Sequence, residues 1–170
     1  LATIARRGNA LTRFVGSYRE VSHLPPPLLQ PLDATALLED VVRFMQTEDN
    51  DLHLTPPPAP LRLLADKGQV EQVLINLIKN ARENEARCIT LSAGVTPTGR
   101  IFLRVTDDGT GIEPEVQERI FVPFFTTKPG GSGIGLTLAR QIMHQHGGTI
   151  DVRSCPGEGS VFTLLFPYNY

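Results

Sequence analysis

Along the first part of the chain apolar residues fall at Ile4, Leu11, Phe14, Val15 and Tyr18, with arginines between them and no proline up to Val21. That spacing predicts an amphipathic helix over residues 1–21. Leu24-Pro25-Pro26-Pro27 ends it, since proline has no N–H to donate and its ring clashes with the preceding helical turn. Leu28 to Leu32 then reads as a short strand, and Ala34 to about Thr47 as a helix with Asp33 as its N-cap. His53 to Leu64 reads as two extended pieces around Pro56-Pro57-Pro58. A long helix opens at Asp66 or Lys67, with Val70, Val73, Leu74, Leu77 and Ile78 forming one buried stripe. Its other face carries Asn76, Asn80, Glu83 and Asn84. Strands are predicted at Cys88 to Ala93 and Ile101 to Thr106, the second with apolar residues at every other position. A glycine-rich turn, a short helix near Pro114 to Ile120 and a loop follow. The chain closes with a helix from about Gly133 to His146 and strands at Thr149 to Arg153 and Ser160 to Phe166, punctuated by Gly147-Gly148 and Pro156-Gly157.

Composition narrows the classes. At 170 residues, 41% hydrophobic and 20% charged, the chain is long enough for one main core plus an appendage. A formal charge of -2 gives no basic footprint, so nucleic acid is not an expected partner. Cys88 and Cys155 are far apart and belong to no Cys/His cluster, so both are read as reduced thiols. No apolar run of about 18 residues occurs, and there is no signal pattern at the start. The chain begins with Leu1, and the expectation is a cytoplasmic piece of a longer protein with room for membrane segments upstream.

Three separated features carry candidate chemistry. In Asn76-Leu77-Ile78-Lys79-Asn80-Ala81 the asparagines lie four residues apart and stack on one helix face. An amide carbonyl is a hard oxygen ligand suited to Mg2+ on a nucleotide's phosphates, although an exposed polar helix face has the same pattern. Asp107-Asp108-Gly109-Thr110-Gly111 directly follows a strand. There an ionised carboxylate accepts hydrogen bonds only, which fits the amine of adenine and opposes the carbonyl of guanine by about 1–3 kcal/mol. A surface turn with capping carboxylates would look alike. Gly130-Gly131-Ser132-Gly133-Ile134-Gly135-Leu136 leads into a helix, where free N–H groups and the positive end of the dipole favour phosphate. It is neither a Walker loop nor a dinucleotide fingerprint.

Taken in order, these features resemble the nucleotide-binding boxes of the GHKL ATPase superfamily, and among its members most closely the histidine kinases. Residues 76–81 resemble the N box, 107–111 the first glycine box and 131–135 the second. Phe121-Val122-Pro123-Phe124-Phe125-Thr126-Thr127-Lys128 is similar to the F box with a short ATP lid, and Gly157-Glu158-Gly159-Ser160 to the last glycine box. The resemblance spans residues 28 to 167, and the short lid is similar to that of the nitrogen-sensor-like branch.

The resemblance implies an α/β (α+β) two-layer sandwich of the Bergerat type, a mixed sheet covered on one face by helices and preceded by one amphipathic helix. It divides the chain into residues 1–24, the end of the second dimerisation helix plus linker, and residues 28–170, the catalytic ATP-binding domain. It further implies that Asn80 holds Mg2+, Asn76 assists at the phosphates, Asp107 reads adenine and Lys128 neutralises the γ-phosphate. Nucleotide contacts are implied also at Gly109, Gly111, Ile112, Thr126, Thr127, Gly131, Ser132, Gly133, Ile134, Gly135, Leu136 and Thr163. Hydrolysing relatives place a glutamate base where Asn76 stands, and an amide cannot deprotonate water, so transfer to a protein nucleophile is favoured.

Two positions depart from the family pattern: Asn84 stands where kinases often have an aromatic residue or alanine, and Glu83 where many have a basic one. No phosphoacceptor motif surrounds His23, His53, His144 or His146, all of which read as structural or solvated. The implied partners are ATP, a histidine-bearing dimerisation domain, a response regulator receiver domain and a second copy through the N-terminal helix. Two other readings are a protein serine kinase of the anti-sigma type, which usually has an acidic residue near position 76, and a non-catalytic nucleotide-gated interaction module.

Overall fold

The computed structural model describes residues 22–127 and 133–168, together with Gly8, Thr12, Val15, Gly16 and Arg19. Those five and Ser22 are helical and exposed, in keeping with the helix expected over 1–21; Ile4, Leu11, Phe14 and Tyr18 lie outside the described residues.

The first strand, β1 (Gln30–Asp33), starts later than the apolar pattern suggests. The N–H of Leu28 is engaged elsewhere, donating to the Asp66 carboxylate at 2.9 Å. Helix α1 (Ala34–Met45) begins directly after β1, with the Asp33 side chain accepting the N–H of Ala36 as the expected N-cap. After it come β2 (Asp51–Thr55), β3 (Arg62–Ala65) and the long helix α2 (Lys67–Glu83), capped by Asp66 through the N–H of Gln69. Strands β4 (Cys88–Val95) and β5 (Arg100–Asp107) precede a single turn of helix, α3 (Pro114–Gln117). Helix α4 (Gly135–Gln145), β6 (Thr149–Cys155) and β7 (Gly159–Tyr168) complete the chain. Helix α4 starts two residues later than expected because Gly133 has φ +69, a left-handed conformation that a right-handed helix does not contain.

Two sheets result. β1 and β3 form a small antiparallel pair, and the main sheet runs β2-β4-β5-β7-β6, parallel between β2 and β4 and antiparallel elsewhere. This is a mixed α/β fold. On one face Ile89, Leu91, Ile101, Leu103, Val105, Phe162, Leu164 and Phe166 are buried beneath the apolar stripes of α1, α2 and α4. The alternation along β5 and β7 sends the intervening residues, including Arg104 and Thr163, to the opposite face.

His146 joins the two helices that flank the site. Its ring is buried after the last turn of α4, edge-on to Phe166 at 6.3 Å. Nε2 accepts the backbone N–H of Asp66 at 3.0 Å, so Nδ1 carries the proton and donates to the carbonyl of Ile142 at 2.7 Å. The start of α2 is thereby tied to the end of α4, and the histidine is structural. Among the described residues no helix is long and apolar enough to cross a membrane.

Candidate functional site

Between α2, α3 and the N-terminus of α4 lies a cavity of about 480 Å³. The polar face of α2 forms one wall through Asn76, Lys79, Asn80 and Glu83, extended by its C-cap residue Asn84. The turn after β5 supplies Thr110, Gly111 and Ile112, α3 and its flanks supply Glu113, Val116 and Ile120, and the loop before α4 supplies Phe125, Thr126 and Thr127. Gly133, Gly135 and Leu136 complete the wall. The apolar stripe of α2 is spent on the core, with Val70, Val73, Leu74, Leu77 and Ile78 all at 1% exposure or less, so its amides are left facing the cavity.

At one end Asn76 reaches across to α4. Its Nδ2 donates to the carbonyl of Gly135 at 3.4 Å, a long contact that orients the amide and turns its oxygen away from that carbonyl. The described ends of the loop before α4 meet here, the N–H of Phe124 donating to the carbonyl of Gly133.

The other end is built by close backbone packing. Asp107 ends β5 and is buried, its Oδ1 accepting the N–H of Gly109 at 2.9 Å. Asp108 points outward and closes the turn: its Oδ1 accepts from Arg87 and Cys88 at 2.8 and 2.9 Å. The N–H of Cys88 is the strongest influence holding the Asp108 carboxyl below its ordinary pKa; burial opposes it and the N–H of Arg87 adds to it. A Cβ on Gly111, whose φ is +73, would stand 2.1 Å from the carbonyl oxygen of Cys155, so this turn admits only glycine against the β6–β7 hairpin. The hairpin grips it further. Ser154 Oγ accepts the N–H of Ile112 at 2.8 Å, and Gln117 Nε2 donates to the carbonyls of both Ile112 and Ser154.

Most of the residues singled out from the sequence come together. Asn76, Asn80, Gly111, Ile112, Thr126, Thr127, Gly133, Gly135 and Leu136 line the cavity. Asp107 and Gly109 lie just behind its wall, and Ile134 is buried in the core at 2% exposure. Lys128, Gly131 and Ser132 lie outside the described residues. Thr163 requires correction: it sits on the face of the sheet opposite α1, α2 and α4, accepting from Arg104 Nε at 3.3 Å, because its neighbours Phe162 and Leu164 take the inward positions of β7. The same alternation brings in Ser160, which was missed. It is buried, stands opposite Asp107 in the β5–β7 register, and lies 2.7 Å from Ser154 Oγ. The parity of Phe162, Leu164 and Phe166 was the sequence signal that would have found it.

The oxygen donors on α2 fit a hard cation. Asn76 and Asn80 present neutral amides, and magnesium carried by phosphates needs few protein ligands. Glycines beside the start of an α-helix of eleven residues fit the phosphates themselves.

Residues 65–170 match the family model described as histidine kinase-, DNA gyrase B- and HSP90-like ATPase. Sensor histidine kinase ZraS of Klebsiella oxytoca is 35% identical over 175 residues, covering 98% of this chain and 37% of that protein. This chain thus spans well under half the length of that relative. Among solved structures, full-length ShkA in complex with AMPPNP superposes with TM-score 0.83 at 28% identity, covering 99% of this chain and 38% of the other. The nucleotide-free catalytic domain of histidine kinase ThkA does so with TM-score 0.72 at 30% identity, covering 82% of this chain and 95% of the other. With the fold, the cavity and the order of its boxes in agreement, the chain carries the ATP-binding catalytic domain of sensor histidine kinases and belongs to the family of histidine kinase-, DNA gyrase B- and HSP90-like ATPases.

Proposed function

We propose that this chain binds Mg-ATP in the cavity and delivers the γ-phosphoryl group to a histidine on a dimerisation domain of the same kinase. The observation that carries the reading is Asn76, an amide held against the carbonyl of Gly135. Among the described residues the carboxylates lining the cavity are Glu83 and Glu113. Glu83 lies seven residues beyond Asn76 on α2, about 10 Å along the axis at ~1.5 Å per residue. A water at the Asn76 end has no carboxylate from this helix beside it to take its proton, whereas an imidazole nitrogen delivered in line needs chiefly positioning and charge stabilisation.

In this reading Asn80 holds Mg2+, which when bound neutralises charge on the phosphates. Asn76 orients the phosphates, and the N–H groups from Gly133 to Leu136 cradle them. Asp107 reads the adenine amine from beneath Gly109, with Ser160 beside it. Thr126, Thr127 and Lys128 belong to the lid, Gly131 and Ser132 to the second glycine box beside the phosphates, and the Lys128 ammonium balances the γ-phosphate. Residues 1–24 are the end of the second dimerisation helix plus linker, through which two copies pair, and residues 28–170 are the catalytic unit. A response regulator receiver domain is the downstream acceptor, and the reaction takes place in the cytoplasm.

The test is incubation of this chain with a separate histidine-bearing dimerisation domain and ATP labelled at the γ position. Acid-labile label on that domain is the expected result. Acid-stable phosphoserine, or release of inorganic phosphate at the same rate with and without the acceptor, would overturn the transfer reading.

A further inference from the structure

Helix α2 presents Asn76 and Asn80, its C-cap residue Asn84 follows at the same interval of four, and all three line the cavity. Side chains four apart share a helix face, and the eight steps from the first to the last cover about 12 Å at ~1.5 Å per step. A row of that length matches the reach of a nucleotide from its outer phosphates to its sugar. Asn76 marks the phosphate end through Gly135. Asn84 marks the other: its carbonyl accepts the N–H of Thr110 at 2.9 Å, and a Cβ on Gly109 would meet that same carbonyl oxygen at 2.5 Å. Asn84 is therefore pinned beside the turn that follows Asp107, half-buried at the rim of the cavity. The wall supplied there by Ile112, Val116 and Ile120 offers a base an apolar surface but no hydrogen bonds from its side chains to a sugar.

Resting on the ATP reading above, we infer that Asn84 is the sugar-reading residue, its side-chain amide hydrogen-bonding the ribose hydroxyls so that the site prefers ribonucleotides to 2′-deoxyribonucleotides. A hydroxyl both donates and accepts, and an amide supplies two donors and an acceptor. A neutral group also does this without adding negative charge to a cavity that receives a triphosphate. When the 2′-hydroxyl is missing, a partly desolvated amide loses its partner, and that loss is where discrimination arises.

Neighbouring polar side chains that compete for this role include Glu83, an exposed carboxylate in the same turn, and the exposed hydroxyl-bearing Thr110, whose own N–H is held by the Asn84 carbonyl. The experiment measures the Kd of ATP and of 2′-deoxy-ATP, both with magnesium, for the parent chain, Asn84→Ala and Glu83→Gln. The parent is expected to favour ATP by roughly two- to twelve-fold, the scale of one hydrogen bond to a neutral group. Asn84→Ala narrows the ratio to below about twofold by weakening ATP and leaving 2′-deoxy-ATP nearly unchanged, while Glu83→Gln keeps the ratio. Equal affinities in the parent, a ratio preserved in Asn84→Ala, or a ratio abolished by Glu83→Gln would each overturn the assignment. If the folded parent takes up neither nucleotide, the ATP reading fails and this inference with it, whereas uptake without preference refutes the sugar reading alone.

Discussion

The two ends of the cavity are built differently. At the end near Asp107 the chain is packed backbone against backbone: the Gly109 turn rests on Asn84, Gly111 on Cys155, and Asp108 fastens the turn to the start of β4. At the end near Asn76 there is room. A Cβ on Gly135 would find nothing closer than Asn76 at 3.9 Å, and one long side-chain contact spans the gap. The first end is a preformed mould whose shape is paid for on folding; the second is an open mouth at a helix start, shaped to admit groups that arrive with their own charge. Glycine thus has two meanings around this cavity: steric necessity at Gly109, at Gly111 and, under the mouth, at Gly133, where a Cβ would stand 2.4 Å from the Phe124 backbone, and access at Gly135.

The largest effect that would break this comparison comes from Gly111→Ala. The left-handed φ and the overlap with Cys155 cannot both be relieved without displacing the β6–β7 hairpin, so unfolding stability should fall by about 3 kcal/mol or more. Thermal or urea denaturation measures it, and a loss under about 1 kcal/mol would mean that the mould is softer than its contacts indicate.

Next is Asp107→Asn. The amide retains an oxygen that can accept from Gly109 but removes the charge, and ATP affinity should drop about ten- to a hundred-fold, in line with hydrogen bonds to a charged group. Calorimetric titration with Mg-ATP decides, and equal affinity in parent and variant would remove Asp107 from adenine recognition.

Gly135→Ala sharpens the contrast from the other end. Alanine suits the first turn of a helix, so stability should be unchanged or higher by up to ~1 kcal/mol. Its methyl group would occupy the mouth beside Asn76, and ATP affinity should fall several-fold, a smaller loss than at Asp107 because the mouth has space to adjust. A stability loss comparable to that of Gly111→Ala would erase the distinction between the two ends.

This contrast also explains what could be read from the sequence. Asp33 is legible as a cap because capping is local, the start of α2 is legible to within one residue at Asp66 or Lys67, and the stripe of α2 is legible because its period is that of a helix. The lining of the mouth followed from the glycine run for the same reason. Legibility failed where residues meet across the sheet. The resemblance implies a nucleotide contact at Thr163, in the strand after the last glycine box, and none at Ser160 inside it, although the parity of three apolar neighbours separates the two faces. The tie from Asp66 to His146 joins residues 80 apart through a backbone N–H and a ring nitrogen, and no local pattern encodes that pairing. The small β1–β3 sheet likewise depends on register between segments that the sequence marks only as extended.

The smallest predicted effect probes how firmly the mould is fastened. Asp108→Asn keeps an oxygen that can accept from both Arg87 and Cys88, so the turn should survive, and because the carboxylate is solvent-exposed the loss at pH 7 should be under ~1 kcal/mol. Its pH dependence is more telling. The folded-state pKa of Asp108 lies below its ordinary value, so its contribution is present above the unfolded value and is lost as pH falls through the folded one, below about pH 4. Burial works to raise the Asp66 carboxyl, but the N–H groups of Leu28 and Gln69 outweigh it and hold that pKa low as well, so Asp66 retains its own share of the acid transition. Denaturation of parent and variant at pH 7 and pH 3 should therefore give a smaller acid-induced loss in Asp108→Asn, though not its disappearance. Parallel curves would show that the turn is held by its glycine contacts alone and that the Asp108 charge adds nothing to them.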